Sequence, residues 1–224
     1  MNDKVDTNIS KDNDSLWKKG FDLAEAAKNY EDSGKRFELY RQAIKYYDYV
    51  LANSPNHLKS LNGKGAAYAN TGNYRDAIFF YELVLKINPT FEKTVFNMGF
   101  AYLNLEKYDV AISWFKKILK INKAYSRANF NLGNCYFYTG QHMQAMKHYL
   151  KELHIDPLCI KSTSNIITCL VKLGRKDLAQ ELLENKSKLK NTKLFIINKR
   201  YSRYAAYPAH NYANRYPGFT KTRH

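Results

Sequence analysis

Residues 58–91 read LKSLNGKGAAYANTGNYRDAIFFYELVLKINPTF, 92–125 read EKTVFNMGFAYLNLEKYDVAISWFKKILKINKAY, and 126–159 read SRANFNLGNCYFYTGQHMQAMKHYLKELHIDPLC. Set one above another, these 34-residue stretches share five columns. Gly65, Gly99 and Gly133 form one, and Tyr68, Tyr102 and Tyr136 a second. Ala77, Ala111 and Ala145 form a third, which continues to Ala179, while Tyr81, Phe115 and Tyr149 form a fourth and Leu85, Leu119 and Leu153 a fifth. Agreement of so many columns at one period means a repeated structural unit. Within each unit the apolar residues fall at i, i+3, i+4 and i+7, which predicts two amphipathic helices of about twelve residues each. The turn between them carries breakers, as in Thr71-Gly72-Asn73 and Thr139-Gly140-Gln141. The Gly and Ala columns put small residues where the two helices cross, so their backbones can approach closely.

The register extends in both directions with losses. In 160–193, Ile167 stands in the Gly column, Leu170 in the Tyr column, and Lys186 where a small residue is expected. Upstream, Ala43, Tyr47, Val50 and Pro55 fit the second helix of a further unit. Its first helix fits when about four residues are inserted, with Leu23, Ala26, Ala27 and Tyr30 in the inner positions. A helical pair cannot bury its apolar face alone, so neighbours stack and the end units must differ to stay soluble. The last one does, and beyond it Leu194, Ile197, Tyr201 and Tyr204 share one face of a helix expected to cap the stack.

These residues resemble the tetratricopeptide repeat, with its Leu-Gly pair, its Tyr, its Ala, an aromatic and a closing Pro such as Pro89 or Pro157. The middle unit departs with Lys123 in place of that Pro. The resemblance implies an all-α fold: a right-handed superhelical α-solenoid of about five helix-turn-helix units with a C-terminal capping helix. The domain reading is a polar flank over 1–19, the array over 20–193 (units 20–57, 58–91, 92–125, 126–159 and 160–193), a capping helix over 194–205, and a basic, Tyr-rich, disordered tail over 206–224.

The resemblance also implies that the first helix of each unit lines a concave face. The second position of each unit reads Lys59, Lys93, Arg127, Lys161. The sixth reads Asn97, Asn131, Asn165, with Gly63 in the unit before. Phe96 and Phe130 take the fifth position, Phe100 and Asn134 the ninth. An Asn side chain offers a donor and an acceptor, so a row of them suits the backbone of an extended peptide. A row of cations favours acidic side chains or a terminal carboxylate. The expected site is thus a peptide groove of Lys59, Lys93, Phe96, Asn97, Phe100, Arg127, Phe130, Asn131, Asn134, Lys161 and Asn165. Relatives that clamp the carboxylate terminus of heat-shock chaperones offer a partial match through Asn131, Lys161 and Asn165. Phe96 and Phe100 stand where that clamp needs Lys and Asn, and Asn165 where it needs Arg, which speaks against it.

Composition bounds the rest. Of a net charge of +16, residues 186–224 supply ten basic groups and no acid, so the excess is mostly in that last segment. There Arg and Lys interleave with Tyr201, Tyr204, Tyr207, Tyr212, Tyr216 and Phe219, a composition that suits single-stranded nucleic acid. The start is polar with no apolar run, and no window reaches the roughly 18 apolar residues of a membrane span. Three cysteines, Cys135, Cys159 and Cys169, without CxxC spacing point away from a disulfide framework and towards the cytoplasm. No GxGxxG, Walker-type loop, GxSxG or HExxH occurs, and the six histidines show no ligand spacing. The sequence therefore predicts a protein-binding adaptor that catalyses nothing, holds no cofactor or metal, and takes another protein or peptide as partner. Two alternatives are a nucleic-acid-associated adaptor working through the tail and a secretion or translocation chaperone.

Overall fold

The computed structural model describes the backbone of residues 3–125 and 127–186 and the side chains of 12–125 and 127–184. The capping segment 194–205 and the tail 206–224 lie outside the described residues. The fold is all-α, built from helical hairpins, and it divides into two compact units, Met1–Ile121 and Asn122–His224. The first unit holds α1 (Asp3–Ala27), α2 (Ser33–Asn53), α3 (Leu58–Asn70), α4 (Tyr74–Ile87), α5 (Glu92–Asn104) and α6 (Tyr108–Ile121). The second holds α7 (Ala128–Tyr138), α8 (His142–Ile155), α9 (Ile160–Lys172) and α10 (Lys176–Lys186). Odd-numbered helices are the first of each pair, even-numbered ones the second.

The Gly column explains why each pair closes. A Cβ on Gly65 would lie 2.6 Å from the Tyr81 ring, one on Gly99 2.8 Å from Phe115, and one on Gly133 2.6 Å from Tyr149. The aromatic of the second helix thus lies flat on bare backbone of the first. Tyr81, Phe115 and Tyr149 are all fully buried, as are the Ala77, Ala111 and Ala145 that let the helices meet. Neighbouring pairs then stack: α2 packs on α3, α4 on α5, and within the second unit α8 on α9. In the first unit α1 also touches α3 and α3 touches α5, which makes the odd-numbered helices its inner layer.

Turns inside the pairs end the first helices with a left-handed residue. Gly72, Gly140 and Gly174 adopt φ of 83°, 75° and 74°. The amide after each reaches back five residues, as in Asn73 to the Tyr68 carbonyl at 2.9 Å, closing the helix terminus. In the α5–α6 turn the same place is held by Glu106 at φ 58°, where a side chain crowds the backbone. Glu106→Gly is therefore expected to raise stability by about 1 kcal/mol, read as an upward shift of thermal unfolding.

The first pair is longer than its sequence reading allows. Gly20 faces the Tyr47 ring as Gly65 faces Tyr81, yet Gly20 and Tyr47 are 27 residues apart against 16 for the others. The insertion is 11 residues, not four, and it lengthens mainly the start of α2. α2 has 21 residues against 14 in α4, and seven residues are about two helical turns, so the added length preserves the facing of α2. The inner register of α1 accordingly runs through Trp17, Gly20 and Phe21, and the segment read as a polar flank is helical from Asp3 onward. Tyr30, expected inside the first helix, lies beyond its end and is exposed.

Candidate functional site

The predicted groove residues divide between the units: Lys59, Lys93, Phe96, Asn97 and Phe100 belong to the first, and Arg127, Phe130, Asn131, Asn134, Lys161 and Asn165 to the second. In the first unit Lys59 and Lys93 are exposed on α3 and α5. The Lys59 ammonium stands 5.0 Å from the centre of the Trp17 ring, and Trp17 stacks on Phe21 at 5.3 Å. Phe100 is 40% exposed. Phe96, expected as apolar groove surface, is a core residue instead: it is 9% exposed and leans on Phe115 at 5.7 Å. One helical turn separates it from Phe100, and that turn carries it across the edge of the buried stripe.

The asparagine row is built differently from the expectation. Asn97 hydrogen-bonds the buried Tyr81 of the preceding pair. Its amide also donates to Asn62 Oδ1 at 3.4 Å, which accepts the Thr94 hydroxyl at 2.9 Å. In the second unit Tyr149 donates its hydroxyl to Asn134 Oδ1 at 2.7 Å, and Asn165 Nδ2 donates to the same oxygen at 3.2 Å. Asn165 also hydrogen-bonds Tyr149, whose phenol burial pushes well above its ordinary range. Asn131 is 8% exposed and turns its amide to the Arg127 carbonyl at 3.1 Å. Gly63 carries no amide because the Tyr47 ring occupies the space, 2.7 Å from where a Cβ would stand. Each asparagine of the row is thus committed within the protein. Buried phenols need polar partners, and Asn97 and Asn165 supply them between one pair and the next.

What remains outward is charge and ring. Arg127 and Lys161 are exposed in the second unit, and Phe130 is half-buried against Tyr149 at 5.8 Å. Arg127 stands just before α7 with φ 67°, and its amide donates to Oε1 of buried Glu152 at 3.1 Å. Burial raises the Glu152 carboxyl above its usual value, against the pull of the Arg127 and Phe130 amides. The side chain of Glu152 so fastens the start of α7, and the Arg127 guanidinium stays outside.

Chemistry of other kinds is thinly represented. Among the described residues no group of three His, Cys, Asp or Glu is placed to hold a metal ion. No helix is long and apolar enough to cross a membrane among the described residues. Cys135 and Cys169 are buried, and burial pushes both thiols up to about 12. Thiols so protonated are packing groups rather than nucleophiles. Trp17 and Phe21 are the inner-face residues that sequence reasoning missed. The spacing from Gly20 to Tyr47 is the signal that finds them, since it sets the register in which they equal Phe96 and Phe100.

A family model described as anaphase-promoting complex, cyclosome, subunit 3 matches residues 38–118 and 70–152, together just over half of the chain. No curated protein matches in sequence. Among solved structures, a crystal structure of MamA superposes with a TM-score of 0.64 at 24% identity, over 72% of this chain and 96% of that one. A second crystal structure of MamA protein gives 0.66 at 22% identity, over 82% and 98%. MamA 41-end from Desulfovibrio magneticus RS-1 gives 0.64 at 23%, over 75% and 96%. At such identities the likeness is one of fold.

Proposed function

We propose that this chain, which belongs to the tetratricopeptide-repeat family through the model for anaphase-promoting complex, cyclosome, subunit 3, is a non-catalytic scaffold that binds an extended, acidic segment of a partner protein. The observation that carries the reading is the outward cations of each unit, Lys59 and Lys93 in the first and Arg127 and Lys161 in the second. Lys59, Lys93, Arg127 and Lys161 are all exposed, and none is in an ion pair among the described residues. An exposed cation without an ion pair, such as Lys59, Lys93 or Lys161, is open to a carboxylate from outside. Asn97 and Asn165 are committed to holding one helical pair to the next within each unit, so the reading rests on charge rather than on an amide ladder. The partner is a protein, and the array, with α1 as its first helix, is proposed to be closed by 194–205 and followed by the basic stretch 206–224. Free, buried cysteines support work in a reducing compartment such as the cytoplasm.

The test is a double charge reversal. Lys93→Glu with Lys161→Glu is expected to weaken capture of the partner by about tenfold or more, with unchanged thermal unfolding, and the wild-type affinity should fall as salt rises. A partner identified by affinity capture and mass spectrometry and bound equally by both proteins would overturn the reading.

A further inference from the structure

The α7–α8 pair is polar at three positions where the two pairs before it are apolar. At 34-residue spacing the fourth position of the first helix reads Leu61, Val95, Asn129. Two positions of the second helix read Phe80, Trp114, His148 and Val84, Ile118, Glu152. Leu61, Val95, Val84 and Ile118 are core residues, and Asn129 and Glu152 are buried with them, at 4% and 2% exposure. His148 Nδ1 lies 3.2 Å from Asn129 Oδ1, and Glu152 follows His148 by one turn of α8. A carboxylate set in an aliphatic column is costly to desolvate, so packing does not account for Glu152.

The start of α7 is irregular at the same place. α3, α5 and α9 begin at the first position of their units, Leu58, Glu92 and Ile160, whereas α7 begins at the third, Ala128. The counterparts of Arg127 are the helical Lys59, Lys93 and Lys161, yet Arg127 itself stands outside α7 in the left-handed region at φ 67°. A side chain there crowds the backbone, and the conformation persists only against a compensating contact. Glu152 supplies that contact, its Oε1 accepting the Arg127 amide at 3.1 Å. An ionised acceptor makes a stronger bond than a neutral one. The connection before α7 is also the least constrained of its kind. Pro55, Pro89 and Pro157 precede α3, α5 and α9, while Lys123 holds their column before α7.

We propose that the α7–α8 pair is a pH-responsive latch: the ionised carboxylate of Glu152 holds Arg127 outside α7, and protonation lets Arg127 leave the left-handed region and join the helix. The second arrangement is the one α3, α5 and α9 already adopt. The proton goes to Oε2, which is buried and has no hydrogen-bond partner among the described residues, so its uptake breaks no existing bond. Oε1 remains as a neutral acceptor with a weaker hold on the amide. Burial raises the carboxyl above its ordinary value, Asp156 at the end of α8 adds to the rise, and the amides of Arg127 and Phe130 and the Arg127 charge oppose it. The buried faces of α7 and α9 otherwise titrate only at Cys135 and Cys169, both pushed up to about 12, and that of α8 at Tyr149, whose phenol burial also raises. His148 is the remaining titratable member of the cluster. With its carboxyl raised, the folded pair favours the neutral form, so this group contributes stability at low pH that is lost as pH rises through its titration.

The test is a pH titration of the isotopically labelled full chain by nuclear magnetic resonance. The amide proton and Hα of Arg127 are closest at positive φ, so their Overhauser effect is strong in the left-handed arrangement and weak in the helical one. In the wild type it is expected to be strong above the titration of the Glu152 Cδ signal and weak below it, with one shared midpoint. Glu152→Gln removes the charge and keeps the shape, and Glu152→Ile restores the aliphatic column. Both should show the weak, helical effect at every pH. The thermal midpoint of the wild type, taken relative to Glu152→Gln so that other groups cancel, should fall as pH rises through the same titration. An Arg127 signal that stays constant while Glu152 titrates would overturn the latch, as would one that follows the His148 ring instead. A strong effect retained in Glu152→Gln would overturn it too, since charge would not then be what holds Arg127, and this variant decides the matter even where Glu152→Ile fails to fold.

Discussion

Tyr149→Ala is expected to destabilise the second unit by about 3–5 kcal/mol, enough to unfold α7–α9 at ordinary temperature. The ring is 1% exposed and lies on Gly133, with Phe130 tilted against its other side. Removing it opens a cavity that no neighbour can fill, because Gly133 has no side chain to move into the space. It also strips Asn134 and Asn165 of the hydroxyl between them. Stability in a repeat stack is a sum of pairs and their nearest-neighbour contacts, so the loss is regional. Hydrogen exchange should therefore show lost protection in α7–α9, with α3–α6 protected as before. Tyr149→Phe separates ring from hydroxyl and should cost only about 1 kcal/mol, the ordinary net worth of one hydrogen bond. Phe115 is the natural version of that variant, serving the same packing role against Gly99 with no hydroxyl at all. Equal losses from the two substitutions would mean that the polar link, not the ring, holds the pair.

That contrast separates what was legible in the sequence from what was not. The Gly, Ala and aromatic columns are packing columns, and packing repeats because each pair must meet its own partner helix in the same way. Helix content, pairing and the burial of Tyr81, Phe115 and Tyr149 could all be read from them. Hydrogen-bond choice does not repeat so simply. An asparagine at one position of the repeat looks alike in three copies, but its partner belongs to another element. Asn97 and Asn165 each find a phenol in the pair before, whereas Asn131 turns to its own backbone. The groove expectation counted these amides as free because a single column cannot show what faces it. Phe96 was misjudged for a related reason. It and Phe100 differ by one turn, and only the position of Phe115 decides which of them is covered.

The first pair escaped by a different route, and one substitution tests it. Under a four-residue insertion Gly20 would lie at the edge of a polar flank, and Gly20→Ala would stabilise α1 by up to about 1 kcal/mol through helix propensity. The structure demands the opposite sign. A Cβ on Gly20 would stand 2.9 Å from Tyr47 Cε1, 3.1 Å from Tyr46 Cβ and 3.2 Å from the Ala43 carbonyl oxygen. The Tyr47 ring has little room to retreat, because it also lies on Gly63 of α3, where a Cβ would stand 2.7 Å from Cζ and 3.0 Å from Cε1. Tyr47 thus lies against glycines on two helices, and it is fully buried there. Overpacking of this kind costs about 1–3 kcal/mol, which exceeds the propensity gain. Gly20→Ala is therefore expected to lower the thermal midpoint. Gly34→Ala is the control: in the first turn of α2 its new methyl would meet only Asp32 Oδ1 at 3.4 Å, and it should stabilise slightly. If both substitutions stabilised, Gly20 would not be the residue on which Tyr47 rests, and the register that puts Trp17 and Phe21 on the inner face would fall with it.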